Sequence, residues 1–264
     1  MKFMMVFLVS IIALAMIIMV VAYFFQEKFI FFPEKLNTEF GYSFTDPFIE
    51  RNFKIDDKVS INAVHFKTPD PKGIIFYFHG NAGSLLRWGE VAPDFLMLHY
   101  DILIVDYRGY GKSTGKISER GLYRDARVIY DSLKKEYPEN RIIIYGRSIG
   151  TGIATWLASE TEPGKLILES PFYSFVDIAR HYYAWLPGWL LRYQFRSDHH
   201  IEKVKCRICI IHGSEDEIIP VNASYRLREK LKPGDEMVIV ESGHHNDLSM
   251  FEEYSEFLKK CLEE

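Results

Sequence analysis

This sequence predicts an α/β fold with a mostly parallel, doubly wound sheet, and three observations carry the prediction. Short apolar runs rich in β-branched residues recur with helical stretches between them, the alternation that builds such a sheet. Several runs, 74–78 and 142–144 among them, show no polar alternation, as strands covered on both faces require. Directly after the second run, Gly146-Arg147-Ser148-Ile149-Gly150 fits G-x-S-x-G, a hard strand-to-helix turn that lifts its serine above the sheet edge.

The chain begins with an element outside that sheet. From Phe3 to Phe25 there is no charged residue and Ser10 is the only clearly polar side chain, which suits the roughly 20 apolar residues of a membrane-spanning helix. A secretory signal peptide is the rival. Its apolar region usually runs only about 7–15 residues, and Val20-Val21-Ala22-Tyr23 offers no small-x-small cleavage site, so the expectation is an uncleaved single-pass anchor over 1–28. Lys2 precedes the span and Lys28 and Lys35 follow it, a balance that selects neither side of the membrane. Phe29, Ile30, Phe31 and Phe32 carry the apolar character up to Pro33, which keeps the entrance of the following domain, 29–264, at the headgroup region.

Within that domain the runs 53–55 and 61–66, separated by Asp56-Asp57-Lys58, predict an antiparallel pair at one sheet edge. Pro69 to Gly73 forms a turn, and the strand 74–78 leads into His79-Gly80-Asn81-Ala82-Gly83. A helix is expected over 85–98, a strand over 102–105, the loop Asp106-Tyr107-Arg108-Gly109-Tyr110-Gly111-Lys112-Ser113, and a helix over 119–137 stopped by Pro138. Further strands are expected at 165–169, 208–211 and 237–240. The stretch 172–201 breaks the rhythm with Phe172, Tyr173, Phe175, Tyr182, Tyr183, Trp185, Trp189, Tyr193 and Phe195, and is too long for a plain connection. It reads as an inserted helical cap that gives the site an apolar lining.

Composition removes several classes. With 48% hydrophobic and 26% charged residues in 264, the chain has ample core, and a net charge of -4 without a long basic run leaves no footprint for nucleic acid. The 3 cysteines, Cys206, Cys209 and Cys261, argue against a disulfide scaffold, and Cys206-Arg207-Ile208-Cys209 falls in an apparent strand where residues three apart face opposite ways, so all are read as packing residues. Gly109-Tyr110-Gly111-Lys112-Ser113 ends like a phosphate loop, but Asp106 stands where that motif needs glycine. Ser148 likewise replaces the second glycine of a dinucleotide-binding turn, and no metal-ligand cluster appears, so no cofactor and no metal are expected.

The chemistry the sequence does support is nucleophilic. A serine hydroxyl needs a base to take its proton and a carboxylate to hold that base in the right tautomer. On a sheet of this kind the three follow in the order serine, acid, histidine, at the C-terminal ends of strands. Asp216, in the loop after 208–211, is the candidate acid, with Glu215, Glu217 and Glu169 as rivals. The loop after 237–240 carries two adjacent histidines, His244 and His245, and spacing does not choose between them. His65, His79, His99, His181, His199, His200 and His212 read as structural or exposed. An oxyanion would be held by two backbone N–H groups, from Ile149 after the serine and from Asn81, aimed inward by Gly80.

His79-Gly80-Asn81-Ala82-Gly83, Asp106 to Ser113, Tyr145-Gly146-Arg147-Ser148-Ile149-Gly150, Ser170-Pro171-Phe172 and His245-Asn246-Asp247 resemble the membrane-anchored α/β-hydrolases of the Bem46 and ABHD13/ABHD17-like group. The resemblance covers nearly the whole chain and implies the α/β-hydrolase fold. Its histidine is followed by Asn-Asp, which implies His245 rather than His244. It further implies a serine hydrolase acting through an acyl-enzyme on an ester or thioester, with a small-molecule or lipid-like acyl substrate. The cysteine-rich N-terminal segment of its acyl-protein thioesterase members is missing here, so protein depalmitoylation is not expected. The alternative is an inactive hydrolase-fold protein that binds a lipid or protein partner at the membrane. Nothing in the sequence sets an oligomeric state.

Overall fold

The computed structural model describes residues 2–184 and 186–263; Met1, Trp185 and Glu264 lie outside the described residues, Trp185 being one of the aromatics assigned to the cap. Eight strands form one sheet: β1 (Phe48–Lys54), β2 (Ser60–Phe66), β3 (Ile74–Phe78), β4 (Asp101–Val105), β5 (Ile142–Arg147), β6 (Lys165–Glu169), β7 (Arg207–Gly213) and β8 (Glu236–Val240). Their spatial order is β1-β2-β4-β3-β5-β6-β7-β8. The pairs β1/β2 and β2/β4 are antiparallel and every other pair is parallel. This is the α/β-hydrolase architecture, with the expected hairpin at the edge.

Strand alternation explains how both faces are covered. Ile74, Phe76, Phe78, Ile142 and Ile144 point into one core, while Ile75, Tyr77, Ile143 and Tyr145 point into the other. All are at most 3% exposed, and each such side chain contributes about 1.5–3 kcal/mol of burial. The first core is closed by α2 (Glu119–Leu133) and α3 (Gly150–Ser159), the second by the last helix, α6 (Glu252–Glu263). Ser118 caps α2 by accepting from the Gly121 N–H at 3.2 Å.

Three expectations need correction. The helix expected over 85–98 is two short pieces, Leu85–Trp88 and Ala92–Leu96, joined by a 3₁₀ turn, because Pro93 lacks the N–H that a continuous helix would use. The cap is less helical than predicted: α4 (Phe175–Tyr182) is followed by a 3₁₀ turn at Gly188–Leu190 and the short helix α5 (Ser197–His200). Cys209 on β7 is joined to Cys261 on α6 in a disulfide, although the two are 52 residues apart in sequence and neither position signals the other. Cys206 is a free thiol just before β7, and burial pushes its pKa up to about 12.

The N-terminal helix α1 (Lys2–Ile30) is 29 residues long, roughly 43 Å at 1.5 Å per residue, and apolar enough to cross a membrane. Its last turn is tied to the body by polar contacts. Gln26 Nε2 donates to the Leu190 carbonyl at 3.3 Å, Gln26 Oε1 accepts from the Arg192 N–H at 2.8 Å, and Glu27 pairs with Arg192 at 3.0 Å. Asn81 Nδ2 donates to the Ile30 carbonyl at 2.5 Å.

On β2 the fold buries a histidine, His65, at 1% exposure. Arg51 donates to its Nδ1 at 3.3 Å, and its Nε2–H reaches the Tyr137 hydroxyl at 3.3 Å, which in turn donates to Asp101. Burial, joined by the charges of Lys67 and Arg51 and only partly opposed by Asp101 and Glu136, lowers its pKa from 6.5 to about 4. The folded state therefore keeps the ring neutral, while the unfolded chain protonates it below pH 6.5. This contribution to stability is whole above pH 6.5 and is lost as pH falls toward 4, by about 3 kcal/mol at ~1.4 kcal/mol per unit. His65→Gln should flatten that segment of a plot of unfolding free energy against pH; an unchanged slope would assign it to other groups.

Candidate active site

The parallel register sets five strand ends at one level, since Phe78 pairs with Gly146, Gly146 with Leu168, Glu169 with Ile211, and Val240 with Gly213. The loops that follow β3, β5, β6, β7 and β8 therefore meet along one edge, where open α/β sheets bind ligands.

Ser148 stands at the turn from β5 to α3 with φ +53°, in the left-handed region that side chains rarely adopt, a conformation costing about 1–3 kcal/mol unless its surroundings impose it. The two flanking glycines supply that imposition. A Cβ on Gly150 would lie 2.1 Å from the Phe78 carbonyl oxygen, and one on Gly146 would lie 2.7 Å from Ala154 Cβ and 2.8 Å from the Gly150 oxygen. No larger residue lets strand and helix approach so closely. The Ser148 N–H donates to the Glu169 carbonyl at 2.9 Å, which pins the turn to β6.

Asp216 and His245 come to Ser148 from the loops after β7 and β8. His245 Nδ1–H donates to Asp216 Oδ2 at 2.7 Å, and His245 Nε2 accepts from the Ser148 hydroxyl at 3.0 Å. Asp216 Oδ1 accepts the N–H groups of Ile218 at 2.9 Å and Ile219 at 2.7 Å. Burial alone would raise the Asp216 pKa, but hydrogen bonds from His212, His245 and the Ile219 N–H outweigh it and hold the carboxyl below the usual carboxylate range. Asp216 is thus an anion at neutral pH, able to fix the tautomer with a proton on Nδ1 and a free lone pair on Nε2.

The rivals are placed elsewhere. Glu169 is held by Arg147 at 3.1 Å and by the Tyr145 hydroxyl at 2.6 Å. Glu215 and Glu217 are exposed and flank His244, whose side chain is 51% exposed. His244 lies 3.3 Å from Glu217 and 3.8 Å from Glu215.

Two residues given no catalytic role in the sequence touch these groups. His212 is fully buried, and its Nε2–H is shared between the Ile219 carbonyl at 2.9 Å and Asp216 Oδ2 at 3.1 Å, while its Nδ1 accepts from Ser224 at 2.7 Å. Its place as the penultimate residue of β7, four before Asp216, was the available signal. Arg147, inside the G-x-S-x-G pattern, reaches the His245 carbonyl and Asn246 Oδ1, each at 3.4 Å, and so ties the histidine loop to the serine turn.

A cavity of about 390 Å³ opens over Ser148, with Asn81, Ile149 and His245 at its base and Phe172, Phe175, Ile178 and Tyr182 along its walls. Asn81 commits its side chain to the Ile30 carbonyl, the Tyr110 hydroxyl and the Phe32 N–H. Ile149 is the N-cap residue of α3, one position after Ser148. A Cβ on Gly80 would come within 3.0 Å of the Trp88 ring and 3.8 Å of Ser148 Cβ, so a larger residue would crowd the ring beside the serine. The arrangement sets a proton acceptor, His245 Nε2, on the Ser148 hydroxyl and an anion behind that ring, beneath an apolar chamber.

The chain as a whole is similar to known proteins. Residues 69–197 match the family described as serine aminopeptidase, S33. The lysophosphatidylserine lipase ABHD12 of Bos taurus is 35% identical over 177 residues, 58% of this chain and 44% of that protein. The alpha/beta hydrolase domain-containing protein 17C of Xenopus tropicalis is 35% identical over 205 residues, 74% of this chain and 63% of that one. The chain therefore spans about half the length of these curated relatives, 44% and 63%. Among solved structures, a Pyrococcus furiosus esterase superposes with a TM-score of 0.69 over 88% of this chain and 99% of its own, at 23% identity. Est1E of Butyrivibrio proteoclasticus, solved with ferulic acid bound, superposes at 0.65 over 81% of this chain and all of its own, at 18% identity. At these identities the structural likeness speaks for the fold.

Proposed function

The chain belongs to the α/β-hydrolases as an ABHD-like member, and from that premise we propose that it is a serine hydrolase cleaving carboxylic esters or thioesters of apolar acyl substrates at a membrane. The observation that carries the reading is the hydrogen-bonded series Asp216, His245, Ser148 beneath an apolar cavity. Ser148 Oγ attacks the acyl carbonyl while His245 Nε2 takes its proton, and Asp216 stabilises the imidazolium that results. The backbone N–H groups of Asn81 and Ile149 hold the oxyanion. His245 then gives the proton to the departing alcohol or thiol, leaving an acyl-enzyme that water hydrolyses by the same steps. In this reading residues 1–28 anchor the chain, 29–264 form the catalytic domain, and 172–201 are its cap. The lysophospholipid named for the ABHD12 relative suggests a lipid ester as the substrate class.

A fluorophosphonate probe tests the reading directly, because it reacts only with a serine whose proton can be removed. Full-length chain in lipid nanodiscs should be modified stoichiometrically on the Ser148 peptide and should hydrolyse a p-nitrophenyl ester. Folded protein that takes no probe there would turn the proposal toward a binding role.

A further inference from the structure

A second apolar cavity, about 380 Å³, lies between the end of α1 and the cap, bounded by Ala22, Phe29, Ala179, Leu186, Leu190 and Leu191. It shares Phe32, Asn81, Phe175, Ile178 and Tyr182 with the cavity over Ser148, so the two adjoin. Together they lead from the serine to the flank of the membrane-anchor candidate. Gln26 and Asn81, polar side chains on this wall, are engaged with Leu190, Arg192, Ile30 and Tyr110, which leaves the outer cavity with a mainly apolar lining. Because polar contacts at its last turn hold α1 in place, its apolar face there need not close onto the cap.

The outer mouth has a matching rim. Phe29 is 74% exposed and Tyr183 56%, and both line the outer cavity, large side chains that water disfavours and that suit the headgroup level where a spanning helix ends. A passage with an aromatic rim at that level, one wall formed by the anchor and its inner end at a nucleophile calls for an occupant that is apolar, narrow and resident in the bilayer.

We propose that this passage receives the acyl chain of a single-chain ester directly from the membrane in which α1 sits, with the ester carbonyl at Ser148 and the chain running past Phe175 and Ile178 toward Ala22 and Phe29. The inference rests on the serine hydrolase reading, and it adds where the chain lies and the side from which it enters. One passage takes one chain, so the substrate class is a lysophospholipid or monoacylglycerol type of ester rather than a two-chain lipid. Ala179 on α4 stands in the outer cavity and does not line the inner one, which makes it the place to obstruct the route.

The experiment uses full-length protein in nanodiscs and two readouts. A lysophosphatidylcholine with a diazirine in mid-chain should, on illumination, tag Ala179, Leu190 and Leu191, and the tagging should disappear in Ala179→Trp. Independently, the ratio of kcat/KM for dodecanoyl over butanoyl 4-methylumbelliferyl esters should fall at least tenfold in Ala179→Trp and in Leu191→Trp. Tags confined to the lipid-facing side of α1, or a ratio unchanged in both variants, overturns the passage. Protein that tags in the passage but takes no fluorophosphonate at Ser148 retains the passage and refutes the hydrolase reading. Protein labelled at Ser148 but never tagged in the passage does the reverse.

Discussion

Ser148→Ala is expected to lower kcat on p-nitrophenyl butyrate by about 10⁵-fold and to abolish fluorophosphonate labelling. A nucleophile acting with its base and orienting acid has this size of effect, about 7 kcal/mol at ~1.4 kcal/mol per tenfold, and the residue of catalysis comes from the oxyanion donors and from binding. The fold should not register the change. The bonds that hold the turn are made by the Ser148 backbone: its N–H to Glu169 at 2.9 Å, and its carbonyl to the Thr151 N–H at 2.9 Å and the Thr151 hydroxyl at 2.6 Å. Alanine meets the same positive φ with the same Cβ, and the lost hydroxyl leaves a gap at a cavity that water reaches. An unfolding midpoint close to that of the wild type, beside activity reduced to background, separates a missing nucleophile from a damaged structure. Substantial turnover by the variant would place the nucleophile elsewhere.

The sheet was legible because its strands are covered on both faces and so read as unbroken apolar runs: 74–78 and 165–169 match β3 and β6 residue for residue. The serine turn was legible for a steric reason, since Gly146 and Gly150 have no room for a Cβ. Features that depend on packing between distant segments were hidden. The pairing of Cys209 with Cys261 requires knowing that α6 lies over β7, and the break near Pro93 left the apolar periodicity of 85–98 intact. Glu169 was an open rival to Asp216 because a strand's last residue can turn either way; Arg147 and Tyr145 capture it. His212 looked like an ordinary end of a strand, and only the folded loop brings Asp216 back over it. The cap's aromatic content was visible, but its use of α1 as a wall joins positions more than 150 residues apart, as in the 164-residue separation of Gln26 and Leu190.

The choice between adjacent histidines gives the second large effect: His245→Ala should cost about 10⁵-fold in kcat, whereas His244→Ala should stay within a few-fold of wild type. The loop makes them unequal. Asp247 Oδ1 accepts the His244 N–H at 2.7 Å, and the Gly243 carbonyl accepts the Glu215 N–H at 3.0 Å, so the turn after β8 is fastened to the acid loop. A Cβ on Gly213 would sit 2.1 Å from that Gly243 oxygen, which is why the end of β7 can come so near. In this setting one imidazole must face inward and the next outward. His245, 5% exposed, faces Ser148 and Asp216, and His244 faces Glu217 and water. Desolvation lowers the His244 pKa, but the hydrogen bond to Glu217 and the charges of Asp247 and Glu217 together outweigh it and raise it above the ordinary value. A dead His244→Ala beside an active His245→Ala would reverse the assignment. A His244→Ala variant that keeps both turnover and fluorophosphonate labelling would leave His245 as the base, and with it Asp216 as the acid, since no other carboxylate hydrogen-bonds to that ring among the described residues.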